Sequence, residues 1–333
     1  MRYPLATKVL IAVGILTGAS TLFAQTTIFD DTFGAGNGDS TQSAAPADPT
    51  ATSTAYEYFQ QGGNPTAPTF PSAGDYHVAG RSTTSSISEN EALFTSSPIT
   101  LATAGDYLDL AITFTDTTQI YTAGGTINIG MFNSGGSKPA QGTRLDAAGE
   151  GTGGAVGWIG YVGRIGDTGA ASQIYTRPAQ GAGTANVNQS QDVLFNGASG
   201  SSTFNNPSGS TVGSSGAMFG AGLIQGDVYT LQLRYTVAAN GGLTILDSLY
   251  NGTTDTGTAI YSQTDSTSAT ALEYSYDALA FGWRYNGTSS ANVADFNQIL
   301  VTDDIQATPE PTTLALGSAG LGLLGLFRFR RRS

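Results

Sequence analysis

The stretch YLDLAITFT, residues 107–115, alternates apolar and polar side chains with a period of two. Successive side chains of an extended strand point to opposite faces, so the four apolar residues share one face. Asp109, Thr113 and Thr115 share the other face, which we expect to contact water. The stretch therefore predicts a β-strand in a sheet that is covered on one side.

The same alternation recurs along the chain, at 229–237 and 279–285, where Trp283 reads as a core residue. Shorter strands are predicted at 126–132, 157–165, 242–249 and 296–302. Residues 239–242 (ANGG) predict a hairpin turn, because Asn and Gly readily adopt positive φ. The Gly/Ser-rich spans 133–154 and 197–216 are predicted surface loops.

This pattern of strands and turns predicts an all-β fold, a jelly-roll sandwich of two antiparallel sheets packed face to face. Outside the two ends of the chain, no window shows helical periodicity. Strands at 28–29 and 299–301 would begin and end the sandwich. We expect them to pair, which would place the two ends of the domain side by side.

The composition excludes several classes of function. The chain has 25 acidic and 13 basic residues, a net charge of −12, and no cysteine. An acidic surface repels nucleic acid, so no nucleic-acid partner is expected. The absence of cysteine excludes disulfides, thiolate metal sites and cysteine nucleophiles.

The N-terminal residues follow the sequence of regions found in a secretory signal peptide: a basic start, an apolar run and a cleavage site. Arg2 and Lys8 precede the apolar run 9–17, and Ala24 ends a plausible cleavage site before Gln25. Residues 1–24 are therefore predicted to form a signal helix that is removed by signal peptidase. The protein is expected to be exported.

The C-terminus reads TPEPTTLALGSAGLGLLGLFRFRRRS over residues 308–333. As a helix, 314–327 would be about 21 Å long, shorter than a bilayer core of roughly 30 Å. A buried terminal helix is the alternative, but the segment is apolar all round and rich in glycine, which suits a membrane helix. The cluster that would stop membrane transfer and extend the span to the headgroups comprises Arg328, Arg330, Arg331 and Arg332.

These signals divide the chain into four parts. Residues 1–24 are the signal peptide and 25–303 the β-sandwich. Residues 304–311 form a linker, and 312–333 form a single transmembrane helix with its arginine cluster. The protein is expected in the cell envelope or outside the cell, anchored transiently or stably in the inner membrane by its C-terminus.

Pro309, Glu310 and Pro311, followed by a Gly/Leu-rich span and terminal arginines, resemble a PEP-CTERM sorting signal. Such signals occur on exported proteins of Gram-negative bacteria that make extracellular polysaccharide. The resemblance implies recognition near these three residues by an exosortase, a membrane-embedded protease-transferase. Thr312 departs mildly from the pattern, where Ser is usual. The resemblance implies a substrate of that enzyme.

The body of the chain bears a fainter likeness. The stretches LATAGDYLDLAITF (101–114) and DVYTLQLRYTV (227–237) resemble the strands of concanavalin A-like, LamG-type jelly-roll domains in their residue pattern. No motif diagnostic of these domains is present. The likeness implies a fold more than a function.

A search for catalytic groups gives no catalytic residue. His77 is the single histidine, and no Gly-x-Ser-x-Gly elbow occurs, so we expect it to be a strand or loop residue. Glu89 and Glu91 have strand spacing and share a face, but their context SISENEALF suggests a solvated segment. Glu150 lies in a glycine-rich loop. A lyase would need groups such as Arg164, His77 and Tyr161 in one groove, and nothing in the sequence brings them together.

Two kinds of binding site are weaker predictions. Trp158, Tyr161 and Tyr175 are candidates for stacking on a sugar ring. Asp30, Asp31, Asp303 and Asp304 would approach one another if the terminal strands pair, and they could then hold a structural calcium ion.

Two functions remain open from the sequence. The first is a non-enzymatic envelope or extracellular-matrix protein that is delivered by the exosortase route and binds extracellular polysaccharide. The second is a polysaccharide-processing enzyme, a lyase or a glycosidase, on the same jelly-roll scaffold. A cleft holding two carboxylates would favour the second.

Overall fold

The computed structural model describes residues 25–33, 43–44, 56–60, 68–72, 74–80, 86–118, 120, 124–139, 154–167, 171–179, 193–195, 211–220, 222–285 and 292–305. The predicted signal peptide, the sorting motif and the predicted membrane tail lie outside these ranges. Within them, the helical residues are one 3₁₀ turn, Gly154–Gly157. No helix in the described part of the chain is both long and apolar enough to cross a bilayer.

The described residues form seventeen β-strands. The first nine are β1 (Thr26–Asp31), β2 (Ser43–Ala44), β3 (Tyr56–Gln60), β4 (Tyr76–Ala79), β5 (Ser86–Leu93), β6 (Ile99–Thr100), β7 (Tyr107–Asp116), β8 (Thr126–Asn133) and β9 (Ile159–Gly166). The other eight are β10 (Ser172–Arg177), β11 (Thr211–Gly216), β12 (Val228–Val237), β13 (Leu243–Asn251), β14 (Tyr261–Ser266), β15 (Ser275–Tyr276), β16 (Ala278–Tyr285) and β17 (Val293–Asp304).

Two large sheets pack face to face. The seven-stranded sheet has the order β1-β17-β7-β12-β13-β14, with β4 also paired to β17. The eight-stranded sheet has the order β11-β10-β9-β8-β16-β5-β3-β2, and β6 and β15 form a short ribbon. Every strand pair in the described ranges is antiparallel. The predicted all-β sandwich of two antiparallel sheets is confirmed.

The core lies between the sheets and follows the alternation in the sequence. On β7, Leu108, Leu110 and Ile112 are fully buried and Phe114 is 1% exposed. Apolar residues of β12 stand directly opposite them, and Trp283 on β16 is buried in the same cluster. The predicted buried face of β7 and the predicted core position of Trp283 are therefore confirmed.

The polar face of β7 is buried, contrary to the prediction from the sequence. Asp109 and Thr113, predicted to contact water, are only 2% and 5% exposed. Gln232 and Arg234 on neighbouring β12 both donate to Asp109 Oδ2, at 2.9 and 2.5 Å, and the guanidinium lies 4.7 Å from the centre of the Tyr107 ring. The prediction was wrong because β7 is central, and long side chains of its neighbour cover its polar face.

The predicted hairpin turn at residues 239–242 and the predicted pairing of the terminal strands are both confirmed. β12 and β13 form a hairpin in which Val237 pairs with Leu243, and Gly241 takes a φ of 88° in the turn. The terminal strands β1 and β17 also pair, with Phe29 opposite Val301. Both ends of the described sandwich therefore lie on adjacent strands.

Tyr235 hydrogen-bonds one sheet to the other through the core. It belongs to β12, and its hydroxyl donates to the carbonyl of Tyr161 on β9 at 2.8 Å. The same oxygen accepts from the backbone N–H of Met131 on β8 at 3.3 Å. Burial raises the pKa of Tyr235 well above its usual value, so the hydroxyl keeps the proton that it donates.

Three further tyrosines make similar bonds between the sheets. Tyr56 donates to Asp31 at 3.0 Å, and Tyr58 donates to the Ala79 carbonyl at 3.0 Å. Tyr76, on the other sheet, donates to Asn90 Oδ1 at 2.8 Å. These bonds satisfy polar groups that the packing of the sheets would otherwise leave without water.

Replacing Tyr235 with Phe should lower the free energy of unfolding by about 1–2 kcal/mol, because the Tyr161 carbonyl and the Met131 N–H lose a buried partner. Tyr107→Phe, at a half-buried position on the outer face, is the control and should change stability by less. Urea denaturation of both variants measures the difference. Equal effects would contradict a special role for the bond across the core.

Asp247 is a carboxyl group inside the core. It lies on β13, is fully buried, and neither oxygen has a hydrogen-bond partner among the described residues. A Cβ on Gly163 of β9 would lie 2.7 Å from its Cγ, so only glycine leaves room for it. Burial raises the pKa of Asp247 to about 8.

This shift makes stability depend on pH. The unfolded carboxyl titrates near 3.8 and the folded one near 8, so folding retains a proton that the unfolded chain releases. The free energy of unfolding should therefore fall by about 1.4 kcal/mol per pH unit as pH rises through this window. Asp247→Asn should reduce the measured slope by that amount, whereas Asp227→Asn, at a half-buried position before β12, should leave it unchanged. Urea denaturation at pH 5 and pH 8 tests this, and an unchanged slope in Asp247→Asn would refute it.

Candidate functional site

An open cleft of about 390 Å³ lies at one edge of the sandwich. One wall is the start of β11, the edge strand of the eight-stranded sheet, and the other is the segment that follows β14. Six of its lining residues are serines or threonines: Thr176, Thr211, Ser266, Thr267, Ser268 and Thr270. The apolar part of the lining comes from Tyr161, Val212, Ala271 and Leu272.

Side chains of β14 hold β11 in place beside the cleft. The Ser214 N–H donates to Asp265 Oδ1 at 3.3 Å, and Gln263 Nε2 donates to the Ser214 carbonyl at 3.1 Å. Gly213 has a φ of 69°, and a Cβ there would meet Asp265 Oδ1 at 1.9 Å. The loop prediction for 197–216 is thus wrong at its end, since side-chain bonds to the opposite sheet order this glycine- and serine-rich stretch as a strand.

The outer face of the eight-stranded sheet carries three glutamates. Glu57 on β3 stands directly opposite Glu91 on β5, and Glu89 lies two residues along the same strand on the same face. Glu89 and Glu91 are fully buried and Glu57 is 7% exposed, so the expectation of a solvated segment is wrong. Burial raises the pKa of Glu57 to about 7. Glu150 lies outside the described residues.

A short segment, Val193–Phe195, covers Glu89. Glu89 Oε1 accepts from the N–H groups of Val193 and Leu194 at 2.9 and 3.2 Å. Asn128 Nδ2 donates to the Leu194 carbonyl at 2.8 Å. The three side chains are at most 1% exposed and pack in a second apolar cluster with Trp158 and Tyr175. Glu89 therefore holds down a covering segment and does not face an open groove.

The three predicted sugar-stacking rings are also buried. Trp158 and Tyr161 are fully buried and Tyr175 is 6% exposed. The Trp158 indole donates to the Ser137 carbonyl at 3.1 Å, and the Tyr175 ring lies 5.0 Å from the Arg164 guanidinium. The stacking prediction is corrected, because these rings fill the core and the layer over the eight-stranded sheet. Tyr161 does border the cleft, beneath Leu272.

The predicted calcium ligands do not come together. The terminal strands pair, but in this register Asp31 stands opposite Ile299, and Asp303 stands opposite Thr26. Asp30 stands opposite Leu300, so even the nearest members of the two pairs, Asp30 and Asp303, are three positions apart along the strand, or about 10 Å. In the part of the chain that the structure describes, no group of three or more His, Cys, Asp or Glu side chains is placed to hold a metal ion.

The groups considered for catalysis are dispersed. His77 on β4 lies with Nδ1 2.6 Å from Asp295 Oδ1, and Thr117 donates to the other oxygen of that carboxylate at 2.9 Å. In a catalytic triad the nucleophilic hydroxyl would donate its hydrogen bond to the histidine. Here the Thr117 hydroxyl donates to the Asp295 carboxylate instead, so these three residues do not form a triad. Arg164 and Tyr161 lie on β9 in the other sheet, on opposite faces. The lyase-type cluster of these three residues does not form.

The C-terminal segment matches a known family of sorting signals. Residues 307–332 match the family described as "PEP-CTERM protein-sorting motif". The chain carries a PEP-CTERM sorting motif. The match contains Pro309, Glu310 and Pro311 and the four predicted stop arginines. Such a motif implies export and a C-terminal sorting signal that anchors the chain in the membrane.

Several solved structures are similar to the described sandwich at low identity. Peanut lectin is 11% identical, with a TM-score of 0.36, over 86% of this chain and 100% of its own. The endo-1,3-β-glucanase from Streptomyces sioyaensis is 13% identical, with a TM-score of 0.40, over 85% and 97%. The Emp47p carbohydrate recognition domain is 8% identical, with a TM-score of 0.38, over 84% and 97%. No curated protein sequence matches the chain. Similarity at this level does not extend to function.

Proposed function

We propose that this chain is a non-enzymatic protein of the cell envelope or extracellular matrix. An exosortase sorts it through its C-terminal signal, and its β-sandwich contacts extracellular polysaccharide. The observation that carries this proposal is the PEP-CTERM motif at residues 307–332. The motif supports a role as the substrate of a sorting enzyme, and the folded part is what that enzyme would deliver.

The position of the motif relative to the fold supports this role. The last strand, β17, ends at Asp304, and residues 305–308 separate it from Pro309. The five steps from Asp304 to Pro309 span at most about 17 Å, enough for a membrane enzyme to engage the motif while the sandwich stays folded. Because Thr26 pairs with Asp303, the start of the sandwich lies at the same end. The points at which the predicted signal peptide and the sorting tail join the sandwich therefore lie at one end of it.

The geometry of the acidic side chains supports the non-enzymatic role. General acid–base catalysis requires carboxylates that reach a bound substrate. Glu89 and Glu91 are fully buried, and Glu89 binds the backbone of Val193 and Leu194. The open cleft at the edge is lined by hydroxyl and apolar groups instead.

Mass spectrometry of the mature protein from its native host tests the sorting proposal. We expect an N-terminus at Gln25 and a new C-terminus close to 309–311. Glu310→Ala should leave the tail attached and the protein in the membrane fraction, whereas Gln306→Ala, in the linker, should be processed normally. A wild-type protein that retains residues 312–333 outside the membrane would contradict the proposal.

A polysaccharide-processing enzyme is the second candidate, and one observation favours it. Glu57 and Glu91 face each other on adjacent strands, where Cβ atoms are about 5 Å apart. The pKa of Glu57 is raised to about 7, a value suited to a general acid at neutral pH. Such a pair resembles the two carboxylates of a glycosidase, but Glu91 is fully buried and Glu57 is only 7% exposed.

An assay for new reducing ends separates the two functions. The wild-type protein should release none from the host's extracellular polysaccharide under the proposed role. Release that is lost in Glu57→Gln, with unfolding unchanged, would establish the enzyme instead. Asp227→Asn, before β12 and away from both the glutamates and the cleft, is the control for general effects of removing an acidic group.

A further inference from the structure

The cleft at the edge of the sandwich has the size of a ligand site and no assigned role. Its volume of about 390 Å³ falls within the range of roughly 300–1,000 Å³ that is usual for small-molecule sites. We propose that this cleft binds an uncharged segment of a polysaccharide chain. The inference rests on the proposed polysaccharide-contacting role and names the site and the chemical class of sugar.

Hydroxyl groups dominate the walls of the cleft. Thr211 begins β11 on one side, and Ser268 and Thr270 lie on the other, all three exposed. A Ser or Thr hydroxyl can both donate and accept a hydrogen bond, as can each hydroxyl of a sugar. Sugar hydroxyls entering the cleft therefore find partners on both walls without a change of protonation.

The remaining lining is apolar and suits the C–H faces of a sugar ring. Val212 and Ala271 are nearly buried, at 6% and 8%, whereas Leu272 is 43% exposed. The Leu272 N–H donates to the Tyr161 hydroxyl at 2.6 Å, which holds this segment against the core. A ligand that covers Leu272 would remove one of the few large exposed apolar side chains in the described ranges from water.

Charge around the cleft selects against acidic sugars. The described lining contains no charged side chain. Asp265 touches Gly213 in one wall, and Glu273 follows Leu272 in the other. The whole chain carries a net charge of −12, which adds long-range repulsion of polyanions. A uronate, sulfate or phosphate would meet two nearby carboxylates with no lining cation, so the fitting ligand is neutral.

The cleft binds without cleaving. Among its described lining residues the titratable one is Tyr161, which lies beneath Leu272, and burial raises its pKa to about 12. No lining carboxylate or imidazole is available to move a proton to or from a glycosidic oxygen.

The walls are held in position before a ligand arrives. Asp265 and Gln263 bond both backbone groups of Ser214 next to Gly213. On the other side, the Thr267 hydroxyl accepts from the Leu243 N–H at 2.8 Å, and the Tyr274 hydroxyl accepts from the Ala271 N–H at 2.8 Å. A preformed cleft binds a flexible polymer with a smaller entropic cost on the protein side.

Binding of the full-length protein, purified in detergent, to the host's extracellular polysaccharide tests the inference. The polysaccharide is separated by anion exchange into a neutral and an acidic fraction. Thr211→Trp and Thr270→Trp each place a large ring in the cleft from opposite walls, at exposed positions where folding tolerates it. Thr264→Trp, on an exposed position of β14 outside the cleft, is the matched control. Thermal unfolding of each variant confirms that it is folded.

We expect the neutral fraction to bind wild type and Thr264→Trp, and at least about tenfold weaker binding by both cleft variants. Binding confined to the acidic fraction, or undiminished in both cleft variants, would overturn the cleft as the site of a neutral glycan and leave the polysaccharide-contacting role standing. Binding to neither fraction would overturn that role itself.

Discussion

Four tyrosine hydroxyls form hydrogen bonds from one sheet of the sandwich to the other, and the relative placement of the sheets depends on them. The chain has no cysteine, so no disulfide can join the sheets. Apolar packing alone is weakly directional and allows one sheet to slide on the other. Tyr235 bonds to the backbone of two strands at once. Tyr56 and Tyr76 bond to side chains of the opposite sheet, and Tyr58 bonds to a carbonyl of β4. Each ring adds apolar burial, and each hydroxyl fixes a register between the sheets.

The placement of the sheets determines what the surface can offer. Where β11 and β14 approach at one edge, Asp265 and Gln263 close the gap at Ser214 and leave an open cleft beside it. On the outer face of the eight-stranded sheet, by contrast, Val193–Phe195 cover Glu89. The described lining of the open cleft is therefore rich in hydroxyls and contains no charged side chain. The carboxylates of Glu89 and Glu91, by contrast, are fully buried.

Local pattern was enough to predict most of the fold and little of the site. The alternation in β7 and the ANGG turn between β12 and β13 follow from backbone geometry within a few residues, and both predictions were correct. The burial of Asp109 was missed because it depends on Arg234, 125 positions away in the chain. Glu89 was misread for the same reason, since a distant segment covers it. The cleft gathers hydroxyls from three separate stretches, and single Ser and Thr residues carry no spacing signal. The sorting motif could be found because its chemistry is contiguous in sequence.

Pairing of the first and last strands has a mechanical consequence. β17 has 12 residues and is hydrogen-bonded on one side to β7 and on the other to β1 and β4. A pull on the C-terminus against the body of the domain would load these ladders in shear, so many bonds would have to break together. A pull between the two termini would instead peel β1 from β17 one bond at a time, since Thr26 and Asp303 are opposite each other. If the C-terminus is anchored and force acts on the side of the domain, the β17 ladders are therefore loaded in shear, the direction in which they resist rupture best.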